Sequence, residues 1–264
     1  MKAKQPGFMA SLIRMRAPVI LLFLGVLASG SGVLSGQILI PPGDVVKTGS
    51  WITSDIRFRT DQDGDGGFDE QTQLAGLERI DVTLAGGGTV TAWDLCAEFF
   101  VGPNSGLPFS VSDGFGPWGD DEEDWLRVLI SNAFPLFEAA EQGGDQSLAD
   151  AYGSAIQIAM WEIVEDDNGL MIIDSTAPGA GIFQVMTDYP SSDPDTALAL
   201  GYAQVFLDNV RTGFWTDAGG FNYYYADATP NQDRFWFTTE VIPEPSVPLL
   251  LALVCGAGLR RRRR

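Results

Sequence analysis

The chain has no histidine. That absence removes Ser-His-Asp and Cys-His catalysis and takes away the commonest zinc ligand. Cysteine is nearly absent too: there are two, Cys96 and Cys255, and the second lies in an apolar terminal stretch. A disulfide between them does not fit a mature exported form, so Cys96 is read as unpaired. Basic residues are scarce and unevenly placed. Lys2, Lys4, Arg14 and Arg16 stand at the start, and Arg260 through Arg264 close the chain. Between residues 38 and 242, seven basic residues face thirty-four acidic ones, a net charge of −27. Such a field repels phosphate backbones and argues against nucleic acid as a partner; it suits solubility, cation binding or basic partners. Lys47 is the one lysine of that stretch. Few internal amines therefore compete for an acyl group, and Lys–Asn isopeptide crosslinks are disfavoured.

What the chain does have is two marked ends. A basic start is followed by an apolar run from Pro18 to Leu27 and then by the small residues of 28–32, Ala-Ser-Gly-Ser-Gly. This is the order of a secretory signal, expected over residues 1–36, with cleavage between Ala28 and Gln37; a single membrane anchor is the alternative. The other end reads Pro243-Glu244-Pro245, then an apolar stretch from Val247 to Leu259, then five arginines. Thirteen helical residues reach roughly 20 Å, short of the ~30 Å hydrocarbon core, and the arginines hold that end on the cytoplasmic side. The pattern is a weak stop-transfer segment carrying a rigid mark on its outer side. It resembles the PEP-CTERM sorting signal of Gram-negative bacteria over about twenty-two residues (243–264). The resemblance implies recognition by an exosortase, a membrane transpeptidase-like enzyme cutting near Pro245. It also implies a transient inner-membrane intermediate and delivery to the cell surface or the extracellular polymer.

The middle is expected to form one α+β domain over residues 38–242, with strands at both ends and about three helices between them. Residues 38–60, the alternating segment 79–84 and residues 90–101 read as strands, and 102–120 as a Gly/Pro loop. A first helix starts at the acidic run Asp121-Glu122-Glu123-Asp124, with Pro135 expected to bend or break it. A second, capped by Asp145 or Ser147, runs to about Glu165, and a third opens at Asp193-Pro194 and reaches about Arg211. Residues 221–225 and 234–241 close the domain as strands.

The second helix is apolar nearly all round from Ala155 to Val164, so it is expected to be buried on most sides. Gln157 sits in it, one turn from Gly153 and one turn before Trp161. A buried amide costs a few kcal/mol unless bonded, so something must satisfy or consume it. The residues alone leave open that Cys96 is a small core residue and Gln157 a cap on a neighbouring loop. With Leu95-Cys96, however, the run Gln157-Ile158-Ala159-Met160-Trp161 resembles the thioester domains of bacterial surface proteins. Ile156 and Met160 depart from the residues common in that family. The resemblance implies that the Cys96 sulfur couples to the Gln157 side-chain carbonyl with loss of ammonia, giving an acyl donor toward an amine-bearing partner. Trp161 is part of the signature, and Glu162 or Asp94 are candidates to assist proton transfer.

A second candidate is the acidic run 61–70. Asp61, Asp63 and Asp65 alternate, Gly66 stands at the sixth position, and Asp69 and Glu70 follow. Converging hard oxygens and a glycine turn suit calcium, although Thr72 stands where an EF-hand has its bidentate glutamate. A solvated turn is the plain alternative. The aromatic residues Trp215, Phe221, Tyr223, Tyr224, Tyr225 and Trp236 are read as core and sheet-face residues before a polysaccharide surface.

The sequence thus predicts a non-enzymatic, exosortase-sorted surface or matrix protein, with extracellular polysaccharide or a surface amine as partner and calcium as its one suggested cofactor. A calcium-stabilised structural protein and a hydrolase of extracellular polysaccharide are the alternatives. No paired-carboxylate spacing supports the last.

Overall fold

The computed structural model describes residues 38–41, 44–60, 68–84, 87–97, 108–165, 171–173, 181, 183–186, 194–228, 232–240 and 242. Every described residue belongs to one compact unit, Gln37–Arg264. The expected signal, the sorting motif Pro243-Glu244-Pro245 and the loop residues Asp61, Asp63 and Asp65 lie outside the described residues. Among those described, no helix is long and apolar enough to cross a membrane.

The fold is α+β. Among the described residues eight antiparallel strands form one sheet: β1 (Ile38–Ile40), β2 (Val45–Thr60), β3 (Asp69–Thr83), β4 (Thr89–Cys96), β5 (Phe109–Asp113), β6 (Phe183–Val185), β7 (Asn222–Asp227) and β8 (Arg234–Thr238). Their spatial order is β1-β5-β7-β8-β4-β3-β2-β6. Among the described residues three helices intervene in the sequence: α1 (Asp120–Gly143), α2 (Gln146–Glu165) and α3 (Pro194–Arg211). The C-terminal strands β7 and β8 lie between β5 and β4, and in the β8–β4 pairing Cys96 stands opposite Arg234.

Helix α1 begins with Asp120, Asp121, Glu122 and Glu123 in its first turn, where acids complement the macrodipole. It ends on Gly144, whose φ of 75° lets its N–H return to the Ala140 and Glu141 carbonyls. The expected break at Pro135 does not occur, for α1 runs unbroken through it. Pro135 is on the exposed side, while Phe134 and Phe137 on the buried side anchor the helix to tryptophans of the sheet. Phe137 lies 5.2 Å from Trp51 and 5.1 Å from Trp93, ring centre to ring centre, and Phe134 lies 5.0 Å from Trp93. Aromatic contacts of this kind offset one missing helical hydrogen bond.

Asp145 caps α2 as expected, its side chain accepting from the Leu148 N–H at 3.2 Å. The helix packs on α1, on α3 and on strands β2 and β3. Its apolar side chains Ile156, Ile158, Met160, Trp161 and Ile163 are at most 2% exposed. At about 2 kcal/mol each they provide on the order of 10 kcal/mol of burial, enough to carry one buried amide. Two small residues bring the helix close to the sheet. A Cβ on Gly153 would stand 2.9 Å from the Trp51 carbonyl oxygen. Ser154 Oγ accepts from the Thr53 N–H at 2.8 Å and donates to the Ala75 carbonyl at 2.7 Å, beside the β2 register shift between Thr53 and Ile56.

Three strand expectations change. β3 begins at Asp69, so the acidic loop ends before Asp69 and Glu70, which are paired in register with Thr60 and Arg59. Residues 109–113, expected in a loop, form β5, which gains its order from lying between β1 and β7. The short β6 lines the end of β2. Of the aromatic end, Tyr223, Tyr224 and Trp236 are buried, while Trp215, Phe221 and Tyr225 are partly covered. These are core and sheet-face positions.

Candidate functional site

The sheet stops pairing on one side of β4 just before its end. β3 pairs with β4 as far as Glu78 opposite Asp94, which leaves Cys96 beyond the last β3 partner. Its backbone groups would be orphaned there. The Gln157 side chain takes the empty place. Its Oε1 accepts from the Cys96 N–H at 2.8 Å, and its Nε2 donates to the Cys96 carbonyl at 2.9 Å. The Trp161 indole N–H donates to the same carbonyl at 3.0 Å. Gln157 and Trp161 stand one turn apart, so both reach one peptide from one helix face. Gly153, one turn earlier on the same face, allows that face to approach the sheet. The glutamine amide thus replaces a missing strand, at 1% exposure.

The Cys96 side chain alternates with Leu95 and stands with Asp94 and Arg234. Arg234 Nη1 donates to the Cys96 sulfur at 2.9 Å and to Gln232 Oε1 at 3.0 Å. Its Nε donates to both Asp94 oxygens, at 2.9 and 3.0 Å, and its Nη2 faces Asp94 and, at 3.4 Å, Glu78. Lys47 pairs with Glu78 at 2.6 Å. Burial pushes the Cys96 thiol up to about 11, against the opposing pull of Arg234. Burial likewise raises the Asp94 carboxyl while Arg234 draws it down. Burial works against the Arg234 charge as well, but Asp94 and Cys96 outweigh it and hold the guanidinium protonated.

The structure therefore brings together Cys96, Gln157 and Trp161, three of the residues expected to act as a unit. Glu162 is buried in the last turn of α2, at 1% exposure. Asp94, a candidate proton carrier, is instead bound to Arg234. Sequence reasoning did not single out Arg234, since only the β4–β8 register brings it to the sulfur. Its rarity as one of seven basic residues in the domain was the available signal.

Of the calcium candidates, Asp69 opens β3 opposite Thr60 at the mouth of the β2–β3 hairpin. Glu70 carries an ion pair with Arg57. Among the described residues no group of three or more acidic, cysteine or histidine side chains is arranged to hold a metal. No family model, curated protein or solved structure matches this chain.

Proposed function

We propose that this chain is an exported protein of a Gram-negative cell surface or extracellular matrix, sorted by an exosortase through its Pro243-Glu244-Pro245 tail. We propose further that it attaches to a partner through an internal Cys96–Gln157 thioester. The observation that carries the second statement is the seating of the Gln157 amide on Cys96 across 61 positions of sequence. The thiolate attacks the Gln157 carbonyl carbon, a sulfur–carbon bond forms, the carbon–nitrogen bond breaks, and ammonia leaves with the thiol proton. A primary amine on a surface or matrix partner then attacks the same carbon, and the sulfur returns to a thiol. Holding the two groups together is the chain's main contribution to this reaction. Loss of ammonia removes the Nε2 donor and leaves the Cys96 carbonyl to the Trp161 indole. Each chain reacts once, so the function is attachment and not turnover.

Intact mass of the secreted protein tests this. The expected result is one ammonia less than the trimmed sequence, new ends near Gln37 and Pro245, and no ammonia loss in Cys96→Ala. A wild-type mass that retains the ammonia sinks the covalent reading.

That second outcome would favour a purely structural surface protein, a reading supported by how completely the Gln157 amide and Trp161 satisfy one peptide. In either case the acidic run 61–70 is proposed to bind calcium, with Asp69 and Glu70 supplied from the start of β3. Calcium at a hundredfold excess over its dissociation constant should stabilise the domain by about 2.7 kcal/mol. Thermal melts with and without a chelator read the effect, and identical midpoints would remove calcium from the account.

A further inference from the structure

We propose that Arg234 governs the charge on the Cys96 sulfur, stabilising it as a thiolate when it attacks the Gln157 amide and again when it departs during acylation of an amine. This rests on the thioester reading above.

Arg234 is built into its place. Asp94 occupies the Nε and Nη2 side of the guanidinium, and Glu78 adds to it at 3.4 Å. This leaves Nη1 for the sulfur, 2.9 Å away, and for Gln232. The planar fork thus anchors on one edge and presents a donor on another. A lysine ammonium has neither the plane nor the second edge. The groups facing the sulfur are Arg234 from β8, Asp94 from β4, Glu78 from β3 and Lys47 from β2. The carboxylates oppose a thiolate, Arg234 is the cation in contact with it, and Lys47, paired with Glu78, pulls in the same direction as Arg234. Burial holds the thiol at about 11 even with Arg234 in contact, so the thiolate is scarce at neutral pH and would be scarcer without that cation.

The charge appears twice. In formation, the electron pair on sulfur makes the bond to the Gln157 carbon while the amide nitrogen leaves as ammonia, taking up the thiol proton. In acylation, the incoming amine nitrogen bonds that carbon, the carbon–sulfur pair returns to sulfur beside Nη1, and the ammonium proton restores the thiol. Arg234 touches the reacting atom in both steps and gives up no proton.

The test uses the secreted protein after methylamine treatment, which opens a thioester to a free Cys96 thiol and leaves an existing thiol unchanged. Alkylation of Cys96 by iodoacetamide is then followed against pH by peptide mass. Arg234→Gln should move the profile to higher pH by about one unit, slowing alkylation about tenfold near neutrality. The double variant Asp94→Asn/Arg234→Gln removes the pair together, leaves no charge buried alone, and should move the profile the same way by less. Methylamine should open the thioester about tenfold more slowly in Arg234→Gln, the loss expected of a leaving thiolate one unit more basic. A profile unchanged in both variants overturns the proposal. A wild-type chain that never loses ammonia overturns the thioester reading instead, and the alkylation profile then decides by itself whether Arg234 controls the sulfur.

Discussion

Relative to the chain in its thiol-and-amide form, Gln157→Ala is expected to lower the stability of the domain by about 2–4 kcal/mol, whereas Cys96→Ala should cost about 1 kcal/mol or less. The asymmetry follows from where the bonds end. Both amide contacts of Gln157 reach the backbone of Cys96, which alanine at 96 retains. Removing the glutamine leaves the Cys96 N–H without this partner and the carbonyl dependent on Trp161. Gln157→Glu sharpens the point. One carboxylate oxygen can still accept from the Cys96 N–H, but the other would face the Cys96 carbonyl unless protonated. The buried acid should therefore titrate above the ordinary glutamate value of about 4.3. Its contribution is then present at low pH and lost as pH rises through the elevated folded value. Urea midpoints across pH for the three variants provide the measurement. A chain harmed more by Cys96→Ala than by Gln157→Ala would show that the amide is not what holds the end of β4.

Asp94→Ala should be the more damaging change, at about 3–5 kcal/mol, because it strips the main counterion from a buried guanidinium. The Asp94 and Arg234 side chains are 7% and 12% exposed, so water replaces little of the lost interaction. Replacing both partners by apolar residues of similar volume, Asp94→Leu with Arg234→Met, is expected to fall within about 1 kcal/mol of the wild type. A double-mutant cycle in denaturant isolates the coupling. Additive single and double variants would mean that the pair is not energetically coupled, whatever its geometry.

Much of this arrangement was legible in the sequence, and the reasons differ by element. The α2 helix declared itself through an apolar run too long and too even for a surface helix, with Asp145 to start it. Gln157 stood out because a lone amide in such a run demands a partner. The partner's form was not legible: the sequence suggested a side-chain pairing, while the described contacts run to the Cys96 backbone, whose unmet bonds appear only where β3 ceases to pair with β4. Strands β5 and β6 are too brief, and too close to glycine and proline, for alternation to mark them. They owe their order to neighbours distant in sequence. The start of β3 was hidden by its polar residues, Gln71, Thr72 and Gln73, which hairpin pairing with β2 tolerates. Pro135 read as a break because local rules do not weigh Phe134 and Phe137 against the tryptophans of the sheet. Arg234 was invisible for the same reason in reverse, since nothing near it in the chain mentions Cys96.

Because the glutamine grips a peptide and not a thiol, folding and bond-forming capacity can be inherited apart. A descendant with serine or alanine at position 96 would retain the same architecture and lose only the proposed means of covalent capture. One substitution there could therefore remove or restore the proposed covalent attachment without rebuilding the domain around it.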